Sequence, residues 1–363
     1  MAMVDRRSLA TGVLALLVAA GGVVAGQAPA GQAPAGAGQA PAGPGATGQP
    51  PAAPGRGAGG AGGGQGRGGA GGAGGAGGRG GGRAAAYTPP AGSKELKDVL
   101  YNWSWHMGML RSGSESELIK TLEYQGDSGT MQVNGQPCAI SKYRYSINYQ
   151  LPGYRNQITC TLANNKPYTI VENISGDFAW DDDIVGAELV PGKGKSTPNP
   201  EAYRDRVIRL WASPQGALKA ALAAAAGLPV AESFGQNPAT LLDRQAAAGV
   251  KGTTTLTWQG DKAILTYPIP GLPGVTATAT LDNYLAERVV VKNGTTTTEF
   301  VYSDYQDLNN PLFKIEALMP GTIVERKNGK DVRTVKSKVT EVGQVYVVVP
   351  VPDSIQKAGP AKK

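Results

Sequence analysis

Histidine is nearly missing from this chain of 363 residues, where His106 is the only one. That excludes zinc sites built on two histidines and, with them, hydrolase centres that surround paired metals with several. A Ser-His-Asp triad would have to use His106, which falls three residues after Trp103 on the face of an expected helix. Large apolar side chains are missing from a long early stretch. Between Gly26 and Leu96 there is no Leu, Ile, Val, Met, Phe or Trp, so nothing there can build a core or offset the entropy of ordering. A charge excess is lacking as well. Of 35 basic and 28 acidic residues, six arginines and Asp5 precede Lys94, leaving 29 and 27 for the rest. A remainder so close to neutral gives no argument for a nucleic-acid surface.

One run is apolar enough to matter for targeting. Arg6-Arg7 lead into Leu9–Ala20, and Val23-Val24-Ala25 offers small residues for cleavage, so residues 1–26 read as a signal peptide. Arg6-Arg7-Ser8-Leu9-Ala10 fits a loose twin-arginine pattern without the usual Phe-Leu-Lys tail. The expected location is the periplasm or the cell exterior. An uncleaved N-terminal anchor is the alternative, since ~17–20 apolar residues just span a bilayer. Residues 27–92 open with repeats of Gly-Gln-Ala-Pro-Ala and pass into Gly-Gly-Ala units, a disordered low-complexity linker. Residues 93–353 read as a single folded domain and 354–363 as a flexible basic tail.

What is abundant is strand. From Thr253 to Val351, alternating Thr, Val, Tyr and Ile are punctuated by Gln259-Gly260-Asp261, Asp282-Asn283, Asn293-Gly294 and Asn328-Gly329. With Asn293-Gly294 as a two-residue loop, Arg288 falls opposite Glu299; with Asn328-Gly329 as another, Arg326 falls opposite Asp331. Val345–Val351 closes the sheet. Helices are expected over Lys94–Arg111, capped by Ser93, over Pro200–Ala212, over Gln215–Ala226 between Ser213-Pro214 and Gly227, and over Asn237–Ala248. The fold class is therefore α+β: a curved, half-barrel-like antiparallel sheet of roughly ten strands, with two or three helices on its concave face.

Two cysteines in an exported chain invite a disulfide. Tyr143, Tyr145, Ile147 and Tyr149 alternate with polar residues, as do Ile158, Cys160 and Leu162. A turn at Leu151–Tyr154 pairs Ile147 with Ile158, Tyr145 with Cys160 and Tyr143 with Leu162, every apolar residue on one face. Cys138 then lies ~23 Å along the strand from the partner of Cys160, well beyond the ~7 Å between Cα atoms that a bond tolerates. The Cys138–Cys160 disulfide is possible by compartment but disfavoured by register.

The remaining candidates for chemistry are thin. Asp177, Asp181, Asp182 and Asp183 form the densest carboxylate cluster, but Asp181–Gly186 lacks the alternating ligands of a calcium loop. Gly192-Lys193-Gly194-Lys195-Ser196 looks like the end of a phosphate loop, yet Leu189 stands where the first glycine is needed. No metal site, cofactor or catalytic residue is assigned.

Six segments carry a resemblance: TLEYQGDSG at Thr121–Gly129, YRYSINYQLPGYRNQIT at Tyr143–Thr159, SGDFAW at Ser175–Trp180, RLWASPQGALKAAL at Arg209–Leu222, LDNYLAERVVV at Leu281–Val291 and FVYSDYQDLNNPLFK at Phe300–Lys314. In that order they resemble a family of uncharacterised exported bacterial proteins best known from acidobacterial genomes. More distantly, the sheet with helices in its concavity looks like the half-barrel of periplasmic lipoprotein carriers. That resemblance implies a non-enzymatic envelope protein holding a lipid or other apolar ligand between sheet and helices. The lining expected for it is Trp103, Tyr143, Tyr145, Ile147, Tyr149, Leu218 and Leu222. The second reading is a structural module with a filled core and an envelope protein as partner. An enzyme of unassigned type stands third, and no nucleic-acid partner is expected.

Overall fold

The computed structural model describes residues 87–110, 119–307, 318–343 and 346–361, all within the unit Gly80–Lys363. The expected signal peptide and all but the last residues of the expected linker lie outside the described residues.

The chain begins with α1 (Leu96–His106), whose Val99, Leu100 and Trp103 are buried along one stripe. Ser93 was expected to cap it. Its hydroxyl instead accepts from the Glu95 amide and bonds the Asp98 carboxylate, and the helix starts two residues later than expected, at Leu96. Six strands follow: β1 (Thr121–Gly126), β2 (Ser128–Val133), β3 (Gln136–Asn148), β4 (Gly153–Leu162), β5 (Pro167–Ser175) and β6 (Phe178–Asp182). After the short β7 (Ser196–Pro198) come α2 (Tyr203–Ala212), α3 (Pro214–Ala226), α4 (Val230–Ser233) and α5 (Pro238–Ala247). The local signals for α3 act as read, and α5 has a cap of its own. Pro214 sits in the first turn of α3 and Gly227 ends it at φ +64°, while the Asn237 side chain accepts from the Thr240 amide. The second half is β8 (Thr255–Gln259), β9 (Lys262–Pro268), β10 (Thr276–Asp282), β11 (Leu285–Asn293), β12 (Thr296–Asp307), β13 (Leu318–Lys327), β14 (Lys330–Lys336) and β15 (Val339–Val342), then α6 (Asp353–Ala358).

All fifteen strands form one antiparallel sheet, ordered β7-β6-β5-β4-β3-β2-β14-β13-β12-β11-β10-β9-β8, with β1 between β3 and β15. The count exceeds ten for physical reasons. β1 and β2 are one bent strand lying along β3, and β14 and β15 are its bent neighbour. A Cβ on Gly126 would sit 1.9 Å from the Lys336 carbonyl oxygen, so glycine lets the two backbones approach at the bend. The polar excursion after Asp181 also hides β7.

The sheet is curved and open. β5 and β11 lie seven places apart in strand order, about 34 Å if flat at ~4.8 Å per strand. Both contact α2, a cylinder only ~10–12 Å across, so the sheet must curl around that helix. One buried cluster runs through α1, α2, α3 and strands of both halves.

Several expectations change. β3 pairs β4 with Ile147 opposite Tyr154, Tyr145 opposite Asn156 and Tyr143 opposite Ile158, four residues from the expected register. Four is even, so the same side chains face inward and alternation is blind to the slip. A bulge between Ile140 and Lys142 then brings Cys160 opposite Ile140, next to Cys138. Cys138 and Cys160 are accordingly joined, with Cα atoms 5.5 Å apart, and the disfavoured disulfide is present. Arg288 lies opposite Val301 rather than Glu299, because Gly294-Thr295 is the loop, and it reaches Glu299 only diagonally at 3.4 Å. The described part of Val345–Val351 is not strand. Val347 and Val349 are nonetheless buried, and α6 packs Ile355 against Trp180 in the segment read as tail. The Asn328-Gly329 hairpin matches: both residues have left-handed φ (+48° and +79°), and Arg326 pairs Asp331 at 2.7 Å.

Candidate functional site

The seven residues expected to line a ligand cavity are all in the interior. Trp103, Ile147, Tyr149 and Leu218 are fully buried, and Tyr143, Tyr145 and Leu222 nearly so. Tyr145 packs edge-on against Tyr124 and Tyr154, with centroids at 5.1 and 4.7 Å. Tyr149 hydrogen-bonds Ser213 at 2.9 Å where α2 turns into α3. Tyr143 borders a space of about 20 Å³, roomy enough for a water molecule.

That space adjoins a polar seam that sequence reading missed. Helical spacing divides α2 into two faces: Arg206 and Arg209 on one, Val207 and Trp211 on the other. The Arg209 guanidinium grips Glu325 of β13 through two nitrogens at 3.0 and 3.1 Å, and reaches the Tyr154 hydroxyl at 3.1 Å and Glu172 of β5 at 3.3 Å. Asn156 donates to Glu172 at 2.6 Å, and Arg333 of β14 approaches the same carboxylate at 3.4 Å. Arg206 donates to the Asn173 and Trp180 carbonyls and pairs with Asp181. Three guanidiniums thus face three carboxylates, and Arg206 and Arg209 tie α2 to both arms of the sheet. The bulge between Glu325 and Arg326 helps by setting Glu325 opposite Arg333. No spacing rule links positions 172, 209, 325 and 333, so no local signal could have found them.

The electrostatics of the seam are those of a latch. Burial alone would raise both carboxyls, but Arg333, Arg209 and Arg206 hold Glu172 well below the usual carboxylate range, and Arg209 and Arg333 hold Glu325 low. Burial pushes Tyr143 and Tyr154 up to about 12. Neither carboxylate is poised to exchange a proton near neutrality, as general acid–base work requires.

The other face of α2 borders an apolar groove. It is lined by Trp211 of α2, Ala220, Ala223 and Ala224 of α3, Leu228 and Val230 after it, Pro268 at the end of β9, and Pro270 and Gly271 between β9 and β10. Its volume is about 620 Å³. A second depression of about 190 Å³ shares Pro152, Trp211, Pro270 and Gly271 and runs on along Val207, Leu210 and Ile174. The space follows from composition: alanines stop at Cβ, and prolines 268 and 270 have fixed φ and cannot swing in to fill it. No charged side chain lines the larger part. The alanine run Ala223–Ala226 of α3 was the available local signal.

The other candidates disperse. His106 is exposed, its Nδ1 2.8 Å from the Asn102 carbonyl oxygen. Asp181 pairs with Arg206, Asp182 accepts from Asn173 and Ser196, and Asp183 accepts from the Lys195 amide. Among the described residues, no three His, Cys, Asp or Glu side chains converge as a metal site, and no helix is long and apolar enough to cross a membrane.

No protein-family model matches the chain, and no curated protein is significantly similar to it.

Proposed function

We propose that the folded region is a non-enzymatic envelope protein that holds a lipidic or other apolar ligand in the groove between α2–α3 and the β9–β10 connection. The observation that carries this reading is the groove itself: about 620 Å³, within the ~300–1,000 Å³ of small-molecule sites, walled by alanine, proline, leucine, valine and tryptophan. The ligand would lie beside the seven interior residues rather than among them. Their role is to form the packed wall that keeps the groove at the rim. The signal-peptide pattern and the resemblance to half-barrel carriers support the same reading as fold-level analogy. Titrating the full chain with a fluorescent fatty acid, and extracting co-purified lipid, tests it. Saturable binding that Ala224→Trp abolishes is expected, and absence of both bound lipid and dye response would sink it.

A second reading rests on a different observation, the filled interior. A core packed this closely suits a scaffold held off the membrane or wall by the Gly/Ala/Pro-rich linker, with an envelope protein as partner. Deleting Gln27–Gly82 should then abolish crosslinking to that partner while leaving dye binding unchanged.

A further inference from the structure

The loop joining β6 to β7 is folded in a way the groove does not explain. Within seven residues it exposes Ile184, Val185, Leu189 and Val190, each about half accessible (48–51%). Scattered exposed aliphatics are ordinary, but a cluster of them marks a contact surface. The loop is held in shape by its own backbone: Asp183 N–H donates to Lys195 O, Glu188 N–H to Lys193 O at 2.8 Å and Lys193 N–H to Val190 O. Ala187 is buried inside it. Gly194, at φ +69°, lies so close to Ile184 and Ala187 that a Cβ there would come within 2.6 Å of the Ile184 side chain. Glu188 takes a left-handed φ of +62°, a cost that persists only where surrounding structure enforces it.

Charge is sorted within the same loop. The Asp183 carboxylate accepts from the Lys195 amide at 2.7 Å and the Glu188 carboxylate from the Ser196 amide at 2.9 Å, so both acids turn toward the loop's own backbone. Lys193 and Lys195 are exposed in the same loop. We propose that this loop is a membrane-contact tip that places its four aliphatic side chains at the interface of an anionic phospholipid bilayer, with Lys193 and Lys195 at the headgroups.

The chemistry favours lipid over protein. Protein interfaces are enriched in aromatic residues and arginine and depleted in lysine, and this loop has the opposite make-up. Four half-exposed aliphatic chains also fall well short of the ~800 Å² per partner of a stable protein interface. Lysine beside aliphatics suits an anionic bilayer surface, where each basic residue adds attraction that salt screens. The inference is independent of the groove, because Trp211 and Pro270 play no part in it.

The test uses the full chain with Val190→Cys carrying an environment-sensitive dye, since Cys138 and Cys160 are already bonded to each other. Asp261→Cys, an exposed turn at the other edge of the sheet, is the matched control. With phosphatidylglycerol vesicles the label at position 190 should blue-shift and the one at 261 should not. Phosphatidylcholine vesicles should give little response. Lys193→Glu with Lys195→Glu should lower the apparent partition constant by about tenfold or more. If the label at 190 stays in water while vesicles sediment with the protein, the contact lies elsewhere and the proposal fails. A shift that grows with protein concentration without vesicles would assign the tip to a second copy of this chain and equally overturn it.

Discussion

The two faces of α2 solve opposite problems with the same sheet. Arg209 and Arg206 turn toward β4, β5, β6 and β13 and meet carboxylates, a phenol and backbone carbonyls, so that side is charged and closed. Val207 and Trp211 turn toward prolines and alanines, and that side is apolar and open. The difference teaches where recognition can occur. A buried ion network has committed its partners and would lose its balance if a ligand displaced one. An apolar groove has committed nothing and stabilises whatever excludes its water.

The sharpest way to break the comparison is to cut the seam. Arg209→Ala takes from Glu325 and Glu172 the one guanidinium that bonds both, leaving Arg333 and, at Glu172, Arg206 to balance them, and should cost about 3–5 kcal/mol of unfolding free energy in urea titrations. A cost near zero would mean the seam is solvated and no latch. Removing the disulfide by Cys138→Ala with Cys160→Ala should cost about 2–4 kcal/mol, since it closes a loop of sequence separation 22, while groove binding stays unchanged.

Acid tests the seam by another route. The folded pKa values of Glu172 and Glu325 are depressed, so their stabilisation is fully present above the unfolded carboxylate value of ~4.3 and is lost as pH falls below it toward the folded values. Unfolding free energy should therefore not depend on this pair between pH 5 and 8. It should fall below about pH 4, less steeply in Glu172→Gln. A decline centred near neutrality in the native chain, missing from Glu172→Gln, would contradict the assignment.

The smallest effects should come from outside the seam. Arg326→Ala removes the exposed partner of Asp331 and Glu299 and should cost no more than about 1 kcal/mol. That leaves a severalfold gap from Arg209 for one residue type in one fold. Ala224→Trp should move the thermal midpoint little while abolishing binding of an apolar dye. If it destabilised the protein as Arg209→Ala does, the groove would be core and not a site.

Much of the architecture was legible because it is local. Asn328-Gly329 and Asn134-Gly135 take left-handed φ with little cost, and Ser213-Pro214 and Gly227 bound α3 by rules that involve no distant residue. The β3–β4 register was not legible. Its four-residue slip preserves every inward-facing side chain, so hydrophobic alternation scores both registers alike. Contacts from elsewhere select one: Tyr154 against Arg209, Tyr149 against Ser213.

Sequence by itself determined that this protein is a bent antiparallel sheet with helices in its curve, because turn chemistry and period-two burial are properties of neighbouring residues. Tertiary structure alone decided the Cys138–Cys160 bond, the Arg209 seam and the groove beside Trp211. The bond depends on the register and bulge of two neighbouring strands. The seam and groove depend on which distant strands meet around α2, settled by packing and charge compensation across as much as about a hundred residues of chain.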